Sequence, residues 1–244
     1  MDNRFTTLIT QRDAAPFIRR CLDSVVNQTY KNYEIIIMDD NSTDGTWEII
    51  KSEYSQFQCI HTPKQDYHIK NFIAGINLIA TDREDIIVFL SGDDYLYGTD
   101  VLEYLNGVYQ DVDVWMTYGN FIRTSREHSK GCYPIPDTRA YRTSGTWFVS
   151  HLFTCKKKLF DSIKKEDLLY SNGEYPNNSF DCAMYYPMVE MSGHKHLRFI
   201  DKVLYVYNDQ NPVAHAHYLE DKKACLRERK FWVAKPSYPE LTEL

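Results

Sequence analysis

The first half of the chain alternates short apolar runs with amphipathic segments. Residues 5–10 are rich in β-branched and aromatic types, and Glu34–Met38 and Ile86–Leu90 are apolar runs typical of strands buried on both faces. Apolar positions from Ile69 to Ile79 recur at helical spacing. The other predicted elements here are helices marked by Phe17–Val26, Trp47–Tyr54 and Leu102–Tyr109, a weak strand at Phe57–His61 and a strand at Val112–Tyr118. This alternation predicts a mostly parallel sheet wound with right-handed crossovers.

The second half is less regular, and it predicts a smaller, irregular region of the same domain. We expect a loop over Ser125–Gly145, helices over Lys157–Ile163 and Asp181–Met191, strands over Leu197–Ile200 and Val203–Tyr207, a polar loop over Asn208–Ala216 and a terminal helix. No segment has the composition of a linker between two autonomous domains. The prediction is therefore one α/β domain, with residues 1–120 as one half and residues 121–244 as the other.

Composition and charge exclude several classes of protein. The 244 residues are 43% hydrophobic and 14% aromatic, which suffices for a packed core. A net charge of −6 argues against a nucleic-acid binder, and the basic clusters Lys156–Lys158 and Lys222–Lys230 are interpreted first as solvated helix faces. No apolar run is long enough to span a bilayer, so any membrane contact is expected to be peripheral. Six scattered cysteines without CxxC spacing favour reduced thiols and a cytoplasmic location.

Acidic turns follow two of the predicted parallel strands. Asp39 and Asp40 come after Met38, and Asp93 and Asp94 come after the strand that ends at Leu90. Ligands bind at the carboxyl ends of such strands, where carboxylates can hold a hard cation or accept hydrogen bonds from a base or ribose. Asp and Asn are also common in turns and helix caps, so the spacing alone leaves both interpretations open.

Two long segments around these turns carry a resemblance to a known family. The stretch SVVNQTYKNYEIIIMDDNSTDGT, which ends at Thr46, and the stretch IIVFLSGDDYL, which ends at Leu96, resemble family 2 glycosyltransferases of the GT-A fold. The match covers about the first 120 residues well and the rest loosely. The resemblance implies a nucleotide-sugar donor, most simply a UDP-sugar, with Mn²⁺ or Mg²⁺ as cofactor and a glycan or glycoconjugate as acceptor.

The resemblance also implies roles for individual residues of the first half. By this similarity the donor nucleotide is contacted by Thr10, Arg12, Asp40, Lys70, Asn71 and Asp93, and the metal is held by Asp94 with Asp93 beside it. The family often has a further Asp two residues before Asp93, where this chain has Ser91. Lys70 has an alternative interpretation as a solvated residue of its helix face.

The second half is expected to supply the catalytic base. Members of the family usually invert the anomeric carbon in one displacement, which requires a carboxylate to take the proton of the acceptor hydroxyl. Asp181 opens an apolar helix and resembles the acidic residue that the family places there. A simple helix N-cap is the alternative for Asp181, and Glu174 and Asp167 are the other candidate bases.

Histidines and aromatic residues complete the candidate site. The similarity places His151 beside the donor sugar, although a lone histidine is commonly structural. His215 or His217 would complete the metal shell or bind phosphate. Four aromatic side chains could stack on a sugar ring or simply belong to the core: Trp115, Trp147, Tyr205 and Tyr207.

Other classes of protein explain the sequence less well. A nucleotidyltransferase would need a glycine-rich basic loop after the first strand, and a dehydrogenase would need GxGxxG there. A glycosidase would leave the turn after Met38 unexplained. The remaining alternative is a catalytically degenerate GT-A protein that binds or scaffolds glycans, and the joint presence of Asp40, Asp94 and Asp181 argues against it.

Overall fold

A computed structural model describes residues 2–80, 84–126, 132–177 and 179–244, with the backbone alone for residues 213–223. Its described strands form one eight-stranded sheet in the order β3-β2-β1-β4-β7-β6-β8-β5. Helices cover the sheet, so the prediction of an α/β fold is confirmed. Among the described residues, no helix is both long and apolar enough to cross a membrane.

Four parallel strands form one side of the sheet. The strand β1 (Phe5–Gln11) pairs with β2 (Tyr33–Asp39) and with β4 (Ile86–Ser91), and β3 (Gln58–His61) pairs with β2. Every residue of β1 is buried, as are residues 35–39 of β2 and 86–90 of β4. Burial on both faces explains the continuous apolar runs of β2 and β4.

Three helices connect these strands, and they lie on opposite faces of the sheet. The helices α1 (Ile18–Val26) and α2 (Thr46–Glu53) connect strands added outward in one direction, from β1 to β3. The helix α3 (Tyr67–Asn77) leads back past β1 to β4. Because right-handed crossovers place helices on opposite faces when the direction reverses, α3 lies on the face opposite α1 and α2.

The second side of the sheet mixes strand directions. The elements there are β5 (Tyr95–Leu96), α4 (Val101–Val108), β6 (Met116–Arg123), β7 (Phe153–Lys156), α5 (Lys157–Asp161), a 3-10 helix (Lys165–Leu168), α6 (Phe180–His196), β8 (Leu197–Tyr207) and α7 (Pro212–Ala234). The strand β7 is antiparallel to both β4 and β6, β8 is parallel to β6, and β5 is antiparallel to β8.

On this second side of the sheet, the structure corrects the predicted strands and the predicted loop and adds a strand. The strand predicted at Val112–Tyr118 begins only at Met116, and β7 was not predicted because its four residues show no pattern. The two strands predicted around Asp201 are one strand, β8, whose pairing with β6 shifts register after Gly119. The predicted polar loop ends early, because α7 already begins at Pro212, where proline's fixed φ suits a first helical residue.

A buried ion pair joins the irregular half together. The guanidinium of Arg142 lies 2.6 Å from a carboxylate oxygen of Glu190 in α6, and these side chains are 3% and 2% exposed. Arg142 also donates to the carbonyl of Trp232 in α7, and the Tyr238 amide of the C-terminal segment donates to Glu190. A buried pair of charges is tolerated when such additional hydrogen bonds satisfy it. These contacts therefore connect three segments to each other: the loop before β7, the helix α6 and the C-terminal segment.

Candidate functional site

The carboxyl ends of β1, β2 and β4 form one edge of the sheet. Gln11 is opposite Asp39, and Thr10 is opposite Ser91, so the two acidic turns lie beside the end of β1. The strand order reverses between β1 and β4. Open α/β sheets bind their ligands at such a reversal, outside the carboxyl ends of the strands. The acidic turns therefore lie where the fold predicts a ligand site.

The buried carboxylate of Asp39 holds the turn after β2. It accepts hydrogen bonds from the amide of Gln11, from the hydroxyl of Ser42 at 2.6 Å and from the backbone N–H of Ser42 at 3.2 Å. The Nδ1 atom of His61 lies 2.5 Å from Oδ2, the oxygen that also accepts the Ser42 N–H. Sequence reasoning gave Asp39 no separate role, and its contacts show that it fixes the backbone on which Asp40 is mounted.

Asp40 connects this turn to the start of α3. Its two carboxylate oxygens accept hydrogen bonds from the backbone N–H groups of Asp66 and Tyr67, at 2.6 and 3.0 Å. The guanidinium of Arg12 donates to the carbonyl of Asp40 at 2.9 Å. The structure thus brings Arg12, Asp40 and the first turn of α3 together, and it shows Asp40 satisfying amides that the helix itself leaves without partners.

The predicted residues of α3 contact their own helix. Lys70 forms an ion pair with Asp66 at 3.0 Å, and the Lys70 side chain remains 42% exposed. The side-chain amide of the buried Asn71 donates to the carbonyl of Tyr67 at 2.9 Å. These contacts support the alternative interpretation of Lys70 as a helix-face residue, although its ion-pair partner Asp66 donates its backbone N–H to Asp40.

A histidine that sequence reasoning missed lies between the two halves. Nδ1 of His68 is 3.3 Å from the hydroxyl of Thr10, at the end of β1. The His68 ring stacks on Phe180, the first residue of α6, with centroids 5.1 Å apart. No motif in the sequence marks His68, because its position depends on how α6 packs against α3.

The adjacent aspartates after β4 have different surroundings. Asp94 is buried, and its two oxygens accept hydrogen bonds from the Tyr205 hydroxyl at 2.5 Å and the Asn208 N–H at 2.6 Å. Burial, and then the charge of Asp93, raise the pKa of Asp94 well above its usual range. Asp93 is half-buried, accepts one hydrogen bond from Asn211 at 2.8 Å and lines a cleft of about 940 Å³. Asp93 is therefore the better placed of the two for a metal.

The surroundings of Asp93 fit a divalent cation bound together with a diphosphate. Among the described residues, no group of three or more His, Cys, Asp and Glu side chains could hold a metal ion by itself. Mg²⁺ is usually bound by one or two carboxylates with substrate phosphates and water supplying the remaining ligands. The predicted ligand His215 lies outside the described residues, as does the alternative His217.

His151 packs against the residues that hold Asp94. Its ring is nearly parallel to those of Tyr205 and Tyr207, with centroids 4.5 and 5.4 Å apart. Burial, followed by the nearby Arg123, lowers the pKa of His151 to about 4. A neutral imidazole stacked on Tyr205 supports the residue whose hydroxyl donates to Asp94.

Asp181 has a carboxyl group with a raised pKa. It lies half-buried in the first turn of α6, and its carboxylate accepts a hydrogen bond from the Cys182 N–H at 2.9 Å. Burial raises the pKa of Asp181 to about 6, with hydrogen bonds and the charge of Arg229 acting in the opposite direction. The neighbouring Phe180 stacks on His68, which places the start of α6 beside the end of β1.

The runner-up carboxylates and the candidate stacking aromatics have other surroundings. Glu174 is exposed and accepts a hydrogen bond from Asn172 in its own turn. Asp167 accepts the Tyr238 hydroxyl at 2.6 Å, in the cluster around the chain's end. Trp115 is buried and stacks on His196, so it belongs to the core. Trp147 is half-buried beneath Arg229, whose guanidinium carbon is 5.6 Å from its ring.

The matching family and the curated relatives that this chain matches first are all glycosyltransferases. The family "Glycosyl transferase family 2" matches residues 7–185. The UDP-Glc:alpha-D-GlcNAc-diphosphoundecaprenol beta-1,3-glucosyltransferase WfaP of Escherichia coli is 38% identical over 41% of this chain and 39% of its own length. The chain spans well under half of the length of the curated relatives that it matches first.

Solved structures show the same fold. S. aureus TarS 1–349 in complex with UDP-GlcNAc superposes with a TM-score of 0.68 at 14% identity, over 97% of this chain and 68% of TarS 1–349. The mannosyltransferase PcManGT of Pyrobaculum calidifontis, in complex with GDP-Man and Mn²⁺, gives a TM-score of 0.64 at 17% identity, over 97% and 66% of the two chains. Because the family match extends from β1 through the first turn of α6, this chain belongs to the family 2 glycosyltransferases.

Proposed function

We propose that this chain transfers a sugar from a UDP-sugar to a hydroxyl group of a glycan or glycoconjugate acceptor, with inversion at the anomeric carbon. The observation that carries the proposal is the Asp181 carboxyl, whose pKa is raised to about 6 at the start of α6. A general base works best when its pKa lies near the working pH. The relatives WfaP and TarS support a UDP-sugar, since the first is named for UDP-Glc and the second was solved with UDP-GlcNAc.

The donor is assigned to the edge formed by β1, β2 and the start of α3. Arg12 provides a cation at this edge, and Asp40 orders the amides that begin α3. A carboxylate oxygen can accept more than one hydrogen bond, so Asp40 keeps the capacity to accept one from a base or ribose. Thr10, Lys70 and Asn71 would contact the donor from the same edge.

Asp181 would act on the acceptor. Its carboxylate takes the proton of the attacking hydroxyl while the acceptor oxygen forms a bond to the anomeric carbon. The bond from that carbon to the diphosphate breaks, and its electron pair leaves with the diphosphate. One displacement of this kind inverts the configuration. His151 would line the sugar's side of the site as a neutral ring, because its pKa is lowered to about 4.

We assign the metal to Asp93. A bound Mn²⁺ or Mg²⁺ there would offset the charge of the departing diphosphate. The residues described around Asp93 leave one of its carboxylate oxygens without a hydrogen-bond donor, which gives a cation a coordination position. The complex of PcManGT with Mn²⁺ supports a metal in this fold. The six cysteines form no disulfide, and we propose that the reaction takes place in the cytoplasm.

Asp181→Asn tests the base. We expect kcat for sugar transfer to fall about 10²- to 10⁴-fold with little change in UDP-sugar affinity, because only proton transfer is removed. Transfer would be measured by UDP release and donor affinity by calorimetry. Glu174→Gln, in an exposed turn, is the matched control and should keep its activity. Full turnover by Asp181→Asn would reject Asp181 as the base.

Asp93→Asn tests the metal. We expect Mn²⁺ to strengthen UDP binding to the native chain and to lose most of that effect in Asp93→Asn. The exposed, remote Asp111→Asn is the control. Asp94→Asn separates the two aspartates, because both Asp94 oxygens already accept internal hydrogen bonds. A loss of the Mn²⁺ effect in Asp94→Asn with no loss in Asp93→Asn would reverse the assignment.

A further inference from the structure

The cleft lined by Asp93 lies on the face of the sheet that carries α1. Its floor includes Ile122 of β6 and Val206 of β8, and its volume of about 940 Å³ is within the range of small-molecule sites. Side chains alternate between the faces of a strand. The neighbouring Phe121 and Tyr207 accordingly contact His151 on the other face. Arg123, the last residue of β6, also lines the cleft, and its guanidinium lies 5.7 Å from the centre of the Phe121 ring.

Two arginine side chains line the cleft, Arg20 from α1 and Arg123 from the end of β6. The guanidinium of Arg20 lies 3.6 Å from the centre of the Tyr95 ring and donates to the Tyr95 hydroxyl. Arg123 lies 5.7 Å from the centre of the Tyr207 ring. Within the described part of the chain, neither arginine forms an ion pair with a carboxylate, whereas the neighbouring Arg19 is paired with Glu53.

Such unpaired cations are notable in a chain of net charge −6. Each guanidinium is kept in place by an aromatic ring, and this leaves its N–H groups available to an anion. A guanidinium binds planar carboxylates and phosphates in a bidentate manner, which makes it more selective than an ammonium group. The beginning of α1 adds to the positive potential, because Phe17, the residue before the helix, provides no side-chain cap.

Other groups in the cleft suit a sugar ring. Tyr97 lines the cleft with 51% of its surface exposed, so its ring can pack against a pyranose. The side chains of Thr124 and Gln210 supply hydrogen-bonding groups beside it. The cleft thus combines cations, an exposed aromatic face and polar groups, with Asp93 at the point where it meets the acidic turn.

We propose that this cleft binds an acidic saccharide, with the anionic group between Arg20 and Arg123 and a sugar ring on Tyr97. The anionic group is a carboxylate, sulfate or phosphate carried on the sugar. The binding itself is independent of the transfer reaction. The role of the bound saccharide as part of the acceptor rests on the proposed function, since the cleft leads to Asp93.

Calorimetric titration of the whole chain with tetragalacturonate, cellotetraose and inorganic phosphate tests the proposal. We expect tetragalacturonate to bind, and cellotetraose and phosphate to bind at least tenfold more weakly. The double variant Arg20→Gln/Arg123→Gln should lose roughly tenfold or more in affinity for tetragalacturonate, because charge-assisted hydrogen bonds are removed. Arg19→Gln is the matched control and should bind normally. Tyr97→Ala, at an exposed position, should also weaken binding without disturbing the fold.

Three results would overturn the proposal. Equal binding of cellotetraose would remove the anionic specificity. Inorganic phosphate binding as tightly as tetragalacturonate would leave no saccharide site. A parallel loss of UDP affinity in the arginine double variant would assign the arginines to the donor instead. These titrations contain no donor sugar and involve no turnover, so a catalytically inactive chain would still bind tetragalacturonate. Failure of the transfer assay can therefore be distinguished from failure of the binding assay.

Discussion

Asp93 and Asp94 are chemically identical neighbours with different surroundings. The chain turns between them, so Asp93 lines a cleft while Asp94 enters the interior. A buried carboxyl group without partners is costly, and the Tyr205 hydroxyl and the Asn208 amide provide those partners. Asp94 is thereby tied to the end of β8, and the turn that carries Asp93 is fixed in place.

Tyr205→Phe should therefore destabilise the fold. The change removes a buried hydrogen bond and leaves a carboxyl oxygen of Asp94 without this partner, which costs about 1 to 3 kcal/mol in the free energy of unfolding. Urea denaturation measures the effect. Tyr133→Phe is the control, since its side chain is 65% exposed, and it should unfold like the native chain. Equal stability of the Tyr205 and Tyr133 variants would contradict a structural role for the hydroxyl.

At the scale of elements, the start of α3 depends on a residue from another part of the chain. The helix has no side-chain cap from its own preceding residue, Asp66. Asp40, which follows β2, accepts the amides of Asp66 and Tyr67 instead. Such a cap fixes the start of α3 relative to the turn after β2, and these are the two elements that flank the proposed donor edge.

Asp40→Ala should loosen the first turn of α3. Loss of a helix cap costs about 1 kcal/mol, and amide hydrogen exchange should accelerate at residues 66–70. Asp40→Asn keeps an acceptor oxygen and should show a smaller effect on exchange. A variant at an exposed carboxylate, Asp111→Asn, serves as the control. Unchanged exchange in α3 of Asp40→Ala would mean that the cap contributes nothing to the helix.

Packing of α6 against α3 is the other decisive contact between elements. Phe180 stacks on His68, and His68 contacts Thr10, so the first turn of α6 is held beside the end of β1. Asp181 follows Phe180 directly and is carried to the same place. The predicted helix showed that Asp181 begins an apolar segment, and this stack places the first turn of α6, which carries Asp181, beside the end of β1.

At the scale of the whole molecule, His151 and Asp181 make the free energy of unfolding depend on pH in opposite directions. The pKa of His151 is lowered from 6.5 to about 4, so the unfolded chain binds the proton more readily and stability is lost as pH falls from about 6.5 to 4. The pKa of Asp181 is raised from 3.8 to about 6. The folded chain then binds that proton more readily, and stability is gained as pH falls through the same window.

His151→Phe should keep the ring stack and remove the titration. We expect its urea midpoint to fall less than that of the native chain between pH 6.5 and 4.5. Asp181→Asn should show the opposite, a steeper fall, because the stabilising protonation is gone. Urea titrations at intervals of half a pH unit would compare the three proteins. Parallel pH profiles for all three would mean that neither group is perturbed as described.

Much of the first half could be predicted from the sequence. Strands buried on both faces have apolar runs, and β2 and β4 were recognisable for that reason, whereas β1 was marked by its β-branched and aromatic residues. The polar turns after β2 and β4 then indicated the ligand edge. The strand β7 could not be predicted, because four residues carry no periodicity and its pairing with β4 is set by tertiary contacts.

The sequence by itself determined the fold class, the family resemblance and the placement of acidic turns at strand ends. These follow from local patterns, in which apolar spacing and turn residues act over a few neighbours. Only the tertiary structure decided which aspartate faces the cleft, how Asp40 caps α3 and where Asp181 lies. Each of these depends on a partner distant in the chain, such as Tyr205 for Asp94 or Tyr67 for Asp40. Burial and pairing with distant residues arise only when the chain is packed.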